Sequence, residues 1–172
     1  NLELKIFLNN YFEDAKTDLF SAFVVRNSEL ALLKGHLGFM TPFVWMFIAS
    51  YEKLRSFIIN SKTITSLIQL EYSGFEGAVV PICTFTIDNI FRKNYIGAYI
   101  RLSDFRGYEN QAPRTLEAIN NPDCGWFYRT AVAQFKSIPR SPIAYWVKGT
   151  DLFTKLLIND FFISGGRNKT HD

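Results

Sequence analysis

The stretch that most constrains this chain is LIQLEYSGFEGAVVPICTFTI, residues 67–87. Two runs rich in Ile, Leu, Val and Thr flank a polar segment spaced by glycines. Such flanks suit paired strands on a half-buried, pleated surface. The pattern predicts strands over 64–70 and 79–87, paired hairpin-like and antiparallel. The segment between them then places Tyr72 and Phe75 on a loop at the edge of a sheet.

What precedes the pair alternates helix and strand. Residues 17–33 carry apolar side chains at 19, 20, 23, 24, 30 and 33, largely a helical stripe. Thr17 or Asp18 can cap its start, and Lys34 and Gly35 mark its end. HLGFMT, 36–41, is short and almost wholly apolar, which predicts a strand buried on both faces in the middle of an α/β sheet. A second helix, capped by Ser50, is expected over 50–62, with Tyr51, Leu54, Phe57 and Ile58 on its apolar face. AYIRLSDF, 98–105, reads as a further strand.

After residue 105 the texture changes to Gly, Pro and Asn. Pro113 can open a short helix through Ile119. The proline-punctuated 138–146 is expected to be irregular, and 150–162 reads as a helix. A boundary near 107–112 would divide the chain into 1–107 and 108–172.

The 172 residues suffice for a packed core, and 48% apolar composition argues against disorder. The net charge of +3 is compatible with nucleic acid without requiring it. Cys83 and Cys124 lack metal-ligand spacing, and Cys83 sits in a strand pattern as a small hydrophobe. The most apolar stretch, 37–49, contains Pro42 and falls short of the ~20 residues that span a bilayer. The expectation is a cytoplasmic protein with reduced thiols and no membrane partner. The sequence starts at Asn1 and ends in a polar run, as expected of a piece of a longer protein.

Catalytic signals are sparse. The chain has no Gly-rich phosphate loop, no His/Cys cluster and no nucleophile elbow. His36 at a strand start reads as structural, His171 lies in the polar tail, and Glu71 and Glu76 read as surface charges. Arg101, Arg106, Arg114, Arg129, Lys136 and Arg140 lie among Tyr, Trp and Phe. That mixture suits contact with nucleic acid, and equally a solvated surface.

The run from Thr17 to Ile87, with GHLGFMTPFVWMFI, YIRLSDFRG and SPIAYW, resembles the later half of the catalytic domain of N6-adenine DNA methyltransferases. The likeness is strongest to those of phage-exclusion (BREX-type) systems, over about Leu2 to Trp146. A looser likeness to Taq-type adenine methyltransferases covers 17–88. The resemblance implies an α/β fold: strands five to seven of a Rossmann-like class I methyltransferase sheet with flanking helices, then an irregular α+β segment. Residues 1–107 would be the C-terminal half of the catalytic domain, and 108–172 the start of the target-recognition, DNA-binding region.

In such enzymes the cofactor loop and an Asn-Pro-Pro-Tyr motif lie upstream, so no catalytic residue is assigned here. DLFSAF resembles the motif whose last aromatic lines the adenine pocket of S-adenosylmethionine, which points to Phe23; the alternative is that Phe23 only packs its helix. GFEGAVVP resembles the segment whose aromatic stacks on an extruded adenine, which points to Phe75, with Tyr72 second; the alternative is a plug under the loop. The implied transfer is in line, with no metal and no covalent intermediate.

The resemblance further implies double-stranded DNA and defence-system subunits as partners. It also implies that the stretch alone is inactive and does not hold S-adenosylmethionine, and that its open sheet edge favours self-association. The rival expectation is a non-catalytic DNA- or protein-binding module built on the same half-fold. A fusion to a nuclease finds no support in these residues.

Overall fold

The computed structural model describes residues 2–77 and 80–147. Five strands form one mixed sheet: β1 (His36–Pro42), β2 (Thr63–Gln69), β3 (Ile82–Asp88), β4 (Ile96–Arg101) and β5 (Phe127–Ala131), in the order β1-β3-β2-β4-β5. The helices are α1 (Leu2–Tyr11), α2 (Leu19–Leu30), α3 (Glu52–Ser61), α4 (Tyr108–Asn120) and α5 (Val132–Lys136). The helix expected over 150–162 lies outside the described residues.

The β2–β3 pair is antiparallel, as its sequence predicts, with Gln69 opposite Cys83 and Thr63 opposite Asp88. β3 is also antiparallel to β1, from His36 opposite Asp88 to Pro42 opposite Ile82. A reversed strand is therefore inserted between two parallel ones. β4 runs parallel to β2, and β5 antiparallel to β4. The carboxyl ends of β1, β2 and β4 thus share one end of the sheet.

β3 accounts for its central place. Cys83, Phe85 and Ile87 alternate onto one buried face, whereas Thr86 faces out to Thr65 and Ser66 hydroxyls. Phe85, Ile87 and Leu67 pack with Leu54, Ile58 and Ile59 of α3 and with Trp45. The other face, at Ile68 and Ile100, packs with Leu102 and with Ala118 of α4.

Several expectations are corrected. β1 is an edge strand, not a central one. Its exposure alternates, with Met40 62% exposed. Of the expected stripe on α2, Val24 is buried and Phe20 packs on the core, whereas Leu19, Phe23 and Leu30 turn outward, and Ser21, Ala22 and Ser28 complete the buried face. It ends at Leu30, earlier than the Lys34–Gly35 signal. Asn89 Nδ2 takes the carbonyls of Ser28, Ala31 and Leu32 at 3.0, 2.9 and 3.2 Å. The N-cap of α3 is Tyr51, not Ser50. Pro113 lies inside α4 rather than at its start. Its missing N–H removes one helical bond, while Thr115 Oγ1 donates to the Gln111 carbonyl one turn back at 2.7 Å. β5 arises in a stretch with no strand signal, because the free edge of β4 templates it.

The segment 138–147 has no regular structure, as expected, yet it is core. Ile143, Ala144, Tyr145 and Val147 are all buried. Tyr145 stacks on Tyr99 at 4.9 Å, and the Ile143 N–H donates to the Met46 carbonyl.

Candidate nucleic-acid and cofactor site

The carboxyl end of the parallel strands gathers the aromatic side chains. β1 leaves its last residue into a short 3-10 turn, Phe43–Met46. The Phe43 N–H donates to the Pro81 carbonyl at 2.6 Å, which fixes that exit beside β3. The loop after β2 lies next to it, with Tyr72 edge-on to Phe43 at 5.5 Å. Tyr72 is 52% exposed and Phe75 37% exposed. Neither ring is among the buried side chains.

Polar bonds hold the loop instead. The Glu71 carboxylate accepts from the Ser73 N–H at 2.8 Å and from the Ser73 hydroxyl. Those bonds, the hydroxyl first, hold the Glu71 carboxyl below its ordinary range. Ser73 Oγ in turn accepts from the Gly107 N–H at 3.1 Å. Glu71, expected as a plain surface charge, is thus part of the loop's frame.

The basic residues are divided by the fold. Arg101 lies over the Trp146 ring at 4.8 Å, at the end of β4. Arg114 is engaged: its guanidinium lies over Phe105 and Trp126, at 4.9 and 5.7 Å, and pairs with Glu117 at 2.6 Å. Lys136 sits over Phe91 at 5.1 Å. Arg140, at φ 62°, faces Glu52 at 3.9 Å. Arg106, Arg129, Lys136 and Arg140 are exposed.

Phe23 is elsewhere, on the outer face of α2 and 56% exposed. With Leu19, Ala22 and Arg26 it meets Phe7, Leu8 and Phe12 around an open apolar groove of about 180 Å³. α1, for which the sequence carries no assignment, supplies the second wall.

His36 Nδ1 lies 2.5 Å from Asp88, which also pairs with Arg92 at 2.9 Å; the histidine belongs to a strand-end ion cluster, in keeping with a structural role. Among the described residues no group of His, Cys, Asp and Glu could hold a metal ion. None of their helices is long and apolar enough to cross a membrane.

A reversed strand inserted between two parallel ones is the strand arrangement of the later part of a class I methyltransferase sheet. The fold matches the methyltransferase subunit of a type I restriction-modification system from Streptococcus thermophilus, with a TM-score of 0.59 at 14% identity, over 79% of this chain and 33% of that one. It matches a modification subunit of a putative type I restriction enzyme from Vibrio vulnificus YJ016 equally well, with a TM-score of 0.59 at 11% identity, over 87% of this chain and 36% of that one.

Sequence narrows the class. The family model of the Eco57I restriction-modification methylase matches residues 1–75. The adenine-specific methyltransferase PglX of Lacticaseibacillus casei (strain Zhang) is 34% identical over 143 residues, 81% of this chain and 12% of the relative. The adenine-specific methyltransferase BrxX of Escherichia coli O9:H4 (strain HS) is 32% identical over 164 residues, 94% of this chain and 13% of the relative. Over most of its length the chain is similar to these two adenine-specific methyltransferases, and it spans about an eighth of their length.

Phe43 lies in MTPFVWMF, whose place just beyond a strand end marks it in the sequence, whereas Ser73, Gln111 and Trp146 carry no such mark. Trp146 is visible only as a member of a proline-punctuated stretch. Ser73 and Gln111 carry no local signal, because their roles depend on contacts made 34 and 40 residues away.

Proposed function

We propose that this chain is part of a site-specific DNA adenine-N6 methyltransferase of a phage-defence or restriction-modification system. The whole enzyme transfers a methyl group from S-adenosylmethionine to an adenine flipped out of duplex DNA. The observation that carries the reading is Phe75, a large ring 37% exposed on a polar-framed loop at the carboxyl end of β2. A flipped base has lost its stacking neighbours, and an aromatic face replaces them for ~1–3 kcal/mol. Tyr72 beside Phe43 would border that base.

The groove at Phe23 fits the flat, apolar face of a purine. Phe23, Leu19 and Ala22 would hold the adenine ring of the cofactor there. When bound, S-adenosylmethionine supplies an activated methyl group on a sulfonium. What this chain contributes is positioning, which by itself lowers a barrier substantially. On this reading the chain by itself is inactive and binds the cofactor weakly, and the free edge of β1 favours association with another copy.

Residues 108–172 would begin the target-recognition region. Exposed Arg106, Arg129, Lys136 and Arg140 suit phosphate contacts, as does Arg101, which lies over Trp146 at the end of β4. Arg114 is the weakest candidate, since its charge and its ring contacts are already used.

The test is Phe75→Ala in the longer methyltransferase that carries this segment, with methyl transfer read on DNA holding adenine at the target position and base extrusion read on a matched duplex holding 2-aminopurine there. Methyl transfer should fall roughly tenfold to a hundredfold, with brighter emission from an unstacked base, whereas Phe75→Trp should retain most activity. Unchanged methyl transfer in Phe75→Ala would overturn the reading.

A further inference from the structure

A buried amide fastens the aromatic loop to the downstream region. Gln111, on α4, is 6% exposed. Its side chain turns back rather than along the helix. Nε2 donates to the Phe105 carbonyl at 2.7 Å and to the Gly107 carbonyl at 2.9 Å, and Oε1 accepts from the Glu71 N–H at 3.1 Å. One planar group therefore joins the first residue of the loop to the turn that opens α4.

A second strut runs parallel to it. The Gly107 N–H reaches Ser73 Oγ, whose own proton goes to the Glu71 carboxylate. Gly107 stands at φ 89°, a left-handed conformation that glycine adopts freely and that turns the chain into α4. Gly74 completes the fit: a Cβ there would come within 2.9 Å of the Glu71 carbonyl, 3.2 Å of Leu70 Cβ and 3.5 Å of Gln111 Cγ.

Burying an amide is costly unless its donors and acceptor are met, and here both ends are met. The loop's rings contribute little to its anchorage, since Tyr72 and Phe75 are turned substantially to solvent. A loop that must keep a ring free for a ligand cannot use that ring as its plug, so its order has to come from polar bonds. Its partners 105–111 lead directly into the region proposed to read DNA.

We propose that Gln111 is a positioning residue: through Glu71 and Gly107 it holds the aromatic loop in the posture that presents Phe75, and couples that posture to the downstream recognition region. The inference rests on the proposed role of the loop in holding the target base.

Two measurements test it together. In the 172-residue chain, amide hydrogen exchange is compared for wild type, Gln111→Met and Ser73→Ala. Exchange at Glu71, Gly74 and Gly107 should rise about tenfold or more in both variants, while Leu67 and Phe85 keep their protection. Ser73→Ala, at a half-buried site, serves where Gln111→Met fails to fold. In the longer methyltransferase, the same variants should lower kcat on adenine-containing DNA about tenfold, with KM for S-adenosylmethionine unchanged, and brighten 2-aminopurine placed at the target position of a separate duplex. Unaltered loop exchange in both variants overturns the proposal. So does faster loop exchange with unaltered kcat, which would make the clamp merely structural. If Phe75→Ala is silent while Gln111→Met still lowers kcat, the stacking role falls and the clamp stands as support for another group of the loop.

Discussion

The Tyr145 hydroxyl donates to Gln69 Oε1 at 2.8 Å, across 76 residues of chain and in the buried interior. This bond ties the irregular segment 138–147 to the last residue of β2, next to the aromatic loop. The ring of Tyr145 is sandwiched into the same cluster, parallel to Tyr99 and edge-on to Tyr128 and Trp146. Thr130 Oγ1 donates to the Tyr145 carbonyl at 2.8 Å and completes the tie to β5. Burial pushes the Tyr145 phenol well above its ordinary pKa, so it remains a proton donor at any working pH.

Tyr145→Phe should therefore cost about 1–3 kcal/mol, because Gln69 loses its donor inside the core. Tyr145→Phe combined with Gln69→Leu should recover part of that loss, since no orphaned acceptor remains. Urea unfolding of wild type and the two variants checks both statements. A single variant as stable as wild type would show that Gln69 finds another partner.

Arg55 is the second tie. It is 1% exposed, and its guanidinium faces carbonyls rather than a carboxylate: Trp45 at 2.9 Å, Ile48 at 2.6 Å and Arg140 at 3.1 Å. Burial lowers its pKa to about 10, and the three carbonyls offset the cost of keeping the charge inside. Arg55→Met should destabilise by roughly 2–4 kcal/mol, because the Trp45 and Arg140 carbonyls lose their guanidinium donor and Ile48 keeps only the Tyr51 N–H. Arg55→Lys should rescue little, since an ammonium cannot match the fork that joins the 45–48 turn to Arg140. Equal unfolding midpoints for wild type and Arg55→Lys would sink this account.

Glu71 makes the loop sensitive to acid. Its folded-state pKa is depressed, chiefly by the Ser73 hydroxyl and then by backbone N–H groups. The carboxylate's contribution is therefore fully present above the ordinary value of 4.5 and is lost as pH falls through the lower, folded-state value. Ser73→Ala should raise the Glu71 pKa toward that ordinary value. A carbon-detected NMR titration of the Glu71 carboxyl reads this directly, and an unmoved midpoint would mean that the hydroxyl is not the main cause.

Much of the framework was legible in the chain itself. The antiparallel β2–β3 pair, the helix between β1 and β2, and the exposed aromatic loop all follow from short-range patterns. Alternating apolar and β-branched residues bury one face of a strand, and glycines at 74 and 77 interrupt the pattern where a loop must form. Tyr72 and Phe75 were placed on that loop, and the coordinates leave both substantially exposed. The resemblance to adenine methyltransferases was carried by contiguous residues of the same kind.

Tertiary structure decided the rest, because hydrogen bonds between distant residues leave no local pattern. Whether HLGFMT lies at the centre or the edge of the sheet depends on what pairs with it. β3 takes one side of β1, and among the described residues no strand takes the other. FYRTA became a strand because β4 offered it a free edge, and Pro113 was accommodated within α4 despite its missing donor. Local chemistry chose which residues could be strand, helix or loop. Only the packed chain could bring Gln111 to Glu71 and Tyr145 to Gln69, since the partners stand 40 and 76 positions apart in the sequence.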